Sequence, residues 1–168
     1  MNREPIKIVR DILINCMGLA NDQIFIYDQN FKLPKTSGLF IVLKFNSSNS
    51  YSSTNRFIPA IEGVEGAQED ISNLRKEEYS VNIMSRDSSA RTRKEEVTLS
   101  LNSNYSKNQQ ALYQFQIPPI DGDILDVSEL EGAAVINRFA INISLLAHYN
   151  KVIDTTFYDD FTNQINIE

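Results

Sequence analysis

The sequence predicts an α+β domain in which a largely antiparallel sheet carries helices packed on one face. Three observations lead there. Apolar residues recur at spacings of three and four over residues 5–19, as on an amphipathic helix. Apolar and polar residues alternate along "VINRFAINISLLAHY", Val135–Tyr149, the period of a strand with two distinct faces. Between them, consecutive strand-like runs are joined mostly by loops, and the helical runs cluster in two places. That order suits antiparallel pairing.

The N-terminal helix begins with Pro5, suited to the first helical position. Glu4, Lys7, Asp11, Asn15 and Gly18 form its polar stripe; Ile6, Val9, Ile12, Leu13, Cys16, Met17 and Leu19 form the face that should dock on the sheet. Gly18 to Asn21 stops it. "QIFIY", Gln23–Tyr27, reads as a short strand and "LPKTS", Leu33–Ser37, as a turn. "GLFIVLKF", Gly38–Phe45, is the most continuously apolar run and is expected to be a central strand covered on both faces. "NSSNSYSSTN", Asn46–Asn55, has little to bury and is expected to be a mobile loop with Tyr51 at its tip.

"RFIPAI", Arg56–Ile61, resumes as a strand whose Pro59 suits an edge or a bulge. Glu62–Asp70 reads as an acidic loop, and "EYSVNIMS", Glu78–Ser85, alternates again. Residues 88–102 read as a helix capped by Asp87, Ser88 or Ser89, with Ala90, Val97 and Leu101 on one face. Ser106 and Gln109 form a capping-box pattern for a second helix over Lys107–Tyr113. The prolines of "FQIPPI" end it. A short strand over Asp123–Val127 precedes the long one. Strands in globular proteins usually run about 5–6 residues. The one at 135–149 is far longer: either it continues beyond its own sheet or it breaks at a bulge near Asn142.

With 168 residues and no linker or internal repeat, the chain reads as one domain, 1–168, able to bury a real core. Apolar residues make up 42% and charged residues 23%, the balance of a globular chain rather than a disordered one. No run of 18 apolar residues marks a membrane span, and no signal peptide is expected. The single cysteine, Cys16, cannot form an internal disulfide, which fits synthesis in a reducing cytoplasm. A net charge of −6 argues against coating nucleic acid with the whole surface. One local basic cluster stands out: Arg86, Arg91, Arg93 and Lys94. It reads either as a solvated helix start or as a contact surface.

Catalytic chemistry is hard to assemble from these residues. The lone histidine, His148, sits on the polar face of a strand, where a structural role is the default. Cys16 lies in an apolar helical stripe, where a packed thiol is expected. There is no Gly-rich phosphate loop, no nucleophile elbow and no paired Cys/His spacing. Asp159 and Asp160 are adjacent, but a hard cation needs several convergent oxygens. No cofactor, metal site or enzymatic activity is expected.

Three stretches carry a resemblance: "SRDSSARTRKEEVTLSL" (Ser85–Leu101), "NSNYSKNQQALYQFQI" (Asn102–Ile117) and "DVSELEGAAVINRFAINISLLAHY" (Asp126–Tyr149). Together they resemble the neck or tail terminator proteins of tailed bacteriophages, well over residues 85–149 and loosely over the N-terminal helix and first strands. The resemblance implies a small α+β subunit of a homo-oligomeric ring, generally a hexamer, at the head–tail junction of the virion, assembled in the host cytoplasm. Such a ring terminates the tail tube, contacts the tube protein and the head-side connector proteins, and lets genomic DNA pass without sequence specificity. No membrane is involved. On that reading Arg86, Arg91, Arg93, Tyr51, Arg138, Asp159 and Asp160 are the candidate subunit or partner contacts. Other head–tail connector or tube-like subunits share the same vocabulary. A small cytoplasmic hydrolase or ligand-binding domain is the remaining alternative, and a deep polar pocket around His148 and Asp154 would favour it.

Overall fold

Among the described residues a seven-stranded sheet organises the molecule. The computed structural model describes residues 4–27, 34, 37–58, 67–120, 122–131 and 134–155. The elements run α1 (Pro5–Met17), β1 (Ile24–Ile26), β2 (Phe40–Ile58), β3 (Ala67–Ser85), α2 (Ser89–Leu101), α3 (Asn104–Tyr113), β4 (Phe115–Gln116), β5 (Leu125–Asp126), β6 (Glu129–Glu131) and β7 (Ala134–Thr155). The strand order is β1-β2-β3-β7-β4, with the short β5 and β6 also paired to β7; only the β1–β2 pair is parallel among these, and the others are antiparallel. The fold is the expected α+β arrangement.

α1 starts on Pro5 and stops on Gly18, whose φ of 64° is the left-handed conformation that a side chain makes costly. Its buried arc is Ile6, Ile8, Val9, Ile12, Leu13 and Met17. It packs with Val97 and Leu101 of α2 against Ile41, Leu43, Val81, Ile83, Ile141, Ile143 and Leu145 of the sheet. Cys16 departs from expectation. It is exposed at the rim of the buried arc, 3.6 Å from Ser103 Oγ. The opposite sheet face carries a smaller cluster of Phe40, Val42, Met84 and Ile136, with Phe25 packed against it. Residues 40–43 are therefore buried on both faces, as their unbroken apolar run predicts.

The corner from β3 into α2 is held by Ser85, which is fully buried. Its hydroxyl donates to the Asp87 carbonyl at 2.7 Å and accepts the Ala90 N–H at 2.9 Å. Asp87 Oδ1 accepts the Ser89 N–H at 2.8 Å. Ser88, the formal cap, makes no side-chain capping bond. Losing that hydroxyl strands a helix N–H away from water. Ser85→Ala is thus expected to cost about 0.5–2 kcal/mol, read as a lower urea midpoint at unchanged m-value. α3 begins earlier than its sequence suggests. Ser103, not Ser106, is its cap and accepts the Ser106 N–H at 3.1 Å.

The largest correction concerns residues 46–55. They form no loop; they are the middle of β2, paired residue by residue with β3. Taken alone, this polar run has too little apolar surface to offset the entropy of ordering it. In the fold, β3 offers it a backbone ladder that needs no apolar side chains. Side-chain rungs reinforce that ladder: Ser47 Oγ donates to Glu78 at 3.3 Å and Ser50 Oγ to Asn73 Oδ1 at 3.0 Å. Of the expected acidic loop, residues 67–70 belong to β3, while residues 59–66, with Pro59, lie outside the described residues. The long strand is unbroken. β3 and β7 keep one register from Ala67↔Thr155 to Ser85↔Asn137, with no bulge at Asn142. The irregularities fall in β2, between Phe45 and Ser47 and between Ser50 and Ser52.

Candidate interaction surface

Past β4 the sheet narrows, among the described residues, to three strands: β2 from residue 51, β3 up to residue 74 and β7 from residue 148. At ~3.3 Å per residue this ribbon projects roughly 25 Å from the core. We call it the arm. Its two faces are polar and mixed in charge, and several large side chains stand out from it. Tyr51 is 73% exposed, Val152 56% and Phe57 50%. Tyr51 does not occupy the hairpin tip. It sits at the second irregularity of β2, where the extra residue of a bulge turns its side chain out of the regular alternation.

Both long edges of the arm are open among the described residues. β1 pairs with β2 only at Ile41–Leu43, and β4 pairs with β7 only at Leu146–Ala147. The edges differ. β2 carries two bulges, a common means of blunting an edge, whereas β7 is regular to Thr155.

The arm is fixed to the body by a carboxylate between two phenols. Glu77 is 8% exposed and accepts the Tyr79 hydroxyl at 2.8 Å and the Tyr149 hydroxyl at 2.6 Å. All three lie on the helix-side face because residues 77, 79 and 149 share the parity of the buried Val81 and Ile143. Burial, then the hydrogen bond and charge of Glu77, push the Tyr79 hydroxyl far above the ordinary phenol value. Tyr149 moves the same way for the same reasons. Phe45 stacks edge-on against Tyr79 at 5.5 Å between ring centres, at the first bulge.

Where β4 ends and the arm begins lies a groove of about 560 Å³. Leu74, Leu146 and Phe115 supply its apolar wall, Lys107 of α3 and His148 stand at its sides, and alanine and glutamine side chains make up the rest. None of these lining residues is acidic. This is not a deep polar pocket around His148 and Asp154. Asp154 lies farther along the arm and accepts a hydrogen bond from Gln68 Nε2 at 3.0 Å. Among the described residues, no three His, Cys, Asp or Glu side chains cluster so as to hold a metal ion.

The expected contact residues separate into different roles. Arg93 is engaged inside the subunit: Nη2 donates to the Met17 carbonyl at 2.7 Å and the guanidinium grips Glu96 at 2.6 Å. It thereby satisfies an orphan carbonyl at the end of α1 and holds the Glu96 carboxyl below its usual range. Arg138 donates to Asn82 Oδ1 at 2.9 Å on the opposite sheet face. Arg86 and Arg91 are exposed at the start of α2, at the pole away from the arm tip. Arg91 and Lys94 act at a distance on Asp126, whose carboxyl is lowered first by its hydrogen bonds with Ser128. Lys94 also lies 4.8 Å from the ring centre of Phe139. Asp159 and Asp160 lie outside the described residues. Sequence reasoning missed Glu77 and Ser85. The Glu77-x-Tyr79 spacing, which puts both side chains on one strand face, was the available signal for the first.

No protein-family model matches the chain, and no curated protein matches it.

Proposed function

We propose that this chain is a structural subunit that assembles with copies of itself into a ring, and that the ring is a head–tail connector of a tailed bacteriophage. It would terminate the tail tube, join it to the head and leave a central passage for DNA. The arm carries this reading. Among the described residues a three-stranded ribbon roughly 25 Å long, with two open edges and exposed Tyr51 and Val152, extends past β4. Open edges of that length invite pairing or burial by another chain. The resemblance of residues 85–149 to neck and tail terminator proteins supplies the class of assembly.

Native mass spectrometry and negative-stain microscopy of the purified chain test this. The expected result is a closed homo-oligomer. A variant in which Asn-Gly replaces residues 49–76 and the chain ends after Asn150 should fold as a monomer. Ser48 and Glu77 face each other across the hairpin, so a two-residue turn can join them, and Glu77 keeps its bond to Tyr79. A full-length chain that stays monomeric at high concentration would overturn the proposal.

A further inference from the structure

We propose that the groove at the arm root receives the acidic, aromatic segment Phe157–Phe161 ("FYDDF") of a second copy of the chain. This rests on the self-assembly reading and names one of its contacts. The groove offers Leu74, Leu146 and Phe115 as an apolar wall, with Lys107 and His148 beside it and the amides of Gln114 and Gln116 to serve an extended backbone. Its lining is free of carboxylates although the chain carries 22 acidic residues in 168. The complementary ligand is a peptide with aromatic rings for the wall and carboxylates for Lys107. "FYDDF" is that peptide, three aromatics around Asp159 and Asp160.

Geometry requires the segment to come from another copy. Thr155 ends β7 seven residues beyond His148, roughly 23 Å along the arm. A fully extended chain gains at most ~3.6 Å per residue, so Phe157 stays within about 7 Å of Thr155 and Phe161 within about 21 Å. The segment therefore ends before it can lie along its own groove. β4 covers the β7 edge only as far as Ala147, so among the described residues the edge beside the groove is open to an incoming strand from His148 onward.

Disulfide trapping between full-length chains tests this, in a Cys16→Ser background. One copy carries Ala111→Cys in the groove and the other Tyr158→Cys. The mixed disulfide should form at least tenfold more than with the exposed control Leu99→Cys. Adding Asp159→Lys and Asp160→Lys to the segment copy should reduce it about tenfold, and Lys107→Glu in the groove copy should restore part of the loss. Trapping no greater than the control, or indifferent to the charge changes, overturns the groove contact. Native mass spectra of the untrapped chains separate the two readings: an intact oligomer without trapping sinks only the groove contact, whereas a monomer sinks both.

Discussion

Leu13→Ala should lower the unfolding free energy by about 2–5 kcal/mol. Leu13 is fully buried in the middle of the α1 arc, with Val9 and Met17 one turn away on either side and the sheet beneath. Truncation removes transfer energy and leaves a cavity that α1 can close only partly, because its two ends are fixed. Gly18 sets the C-terminal turn, and Arg93 clamps the Met17 carbonyl. Lys7→Ala on the polar stripe is the control. Its ion pair with Glu4 at 2.9 Å joins two exposed side chains, so it should shift stability by no more than about 0.5 kcal/mol. Urea denaturation of both variants decides the matter, and equal losses would place the helix face wrongly.

Alkaline solution should unfold the protein through Tyr79. The fold holds this hydroxyl neutral, with its pKa raised well above the unfolded value of about 10. The stabilisation is complete below that unfolded value. As pH rises past it, the unfolded chain loses a proton that the folded chain keeps, and stability falls. One such group gives a slope that approaches about 1.4 kcal/mol per pH unit, or about 2 kcal/mol between pH 10 and 12. Tyr149 shifts in the same direction but is 39% exposed, so solvent screening leaves it a smaller share. Urea midpoints measured from pH 8 to 12 should show this decline, and Tyr79→Phe should flatten it. An unchanged slope in that variant would remove the Glu77 cluster as the cause.

Elements whose side chains face two different environments could be read in advance. β7 alternates because one face meets the helices, and α1 shows its stripe because one side meets the sheet. The apolar run at 40–43 announced burial on both faces. The arm was opaque for the converse reason. Residues 46–58 acquire strand structure from a backbone ladder with β3, and β3 is held by β7 far along the chain, so nothing in their own side chains signals it. The same gap affected the candidate contacts. Tyr51 was rightly expected to be exposed, but a bulge places it along the arm rather than at its tip. Arg93 looked equivalent to Arg91, yet the rotation of the helix turns Arg93 onto Met17 and leaves Arg91 in solvent. Glu77 could not be distinguished from Glu78 without knowing which parity faced inward.

The unbroken β3–β7 register also sets the order in which the molecule can be made. Its partners are between fifty-two and eighty-eight residues apart in sequence, with α2 and α3 between them. Loop closure over such distances is entropically costly and is offset only once the long ladder forms, so folding should be slow, in the millisecond-to-second range of non-local β topologies. On the ribosome, β2 and β3 emerge as a polar hairpin with nothing on the outer side of β3. Only the last long strand turns that hairpin into a stiff rod and supplies Tyr149 to Glu77. The surface that would meet a neighbour is therefore completed only once β7 has joined β3, which would keep chains that lack β7 from joining prematurely.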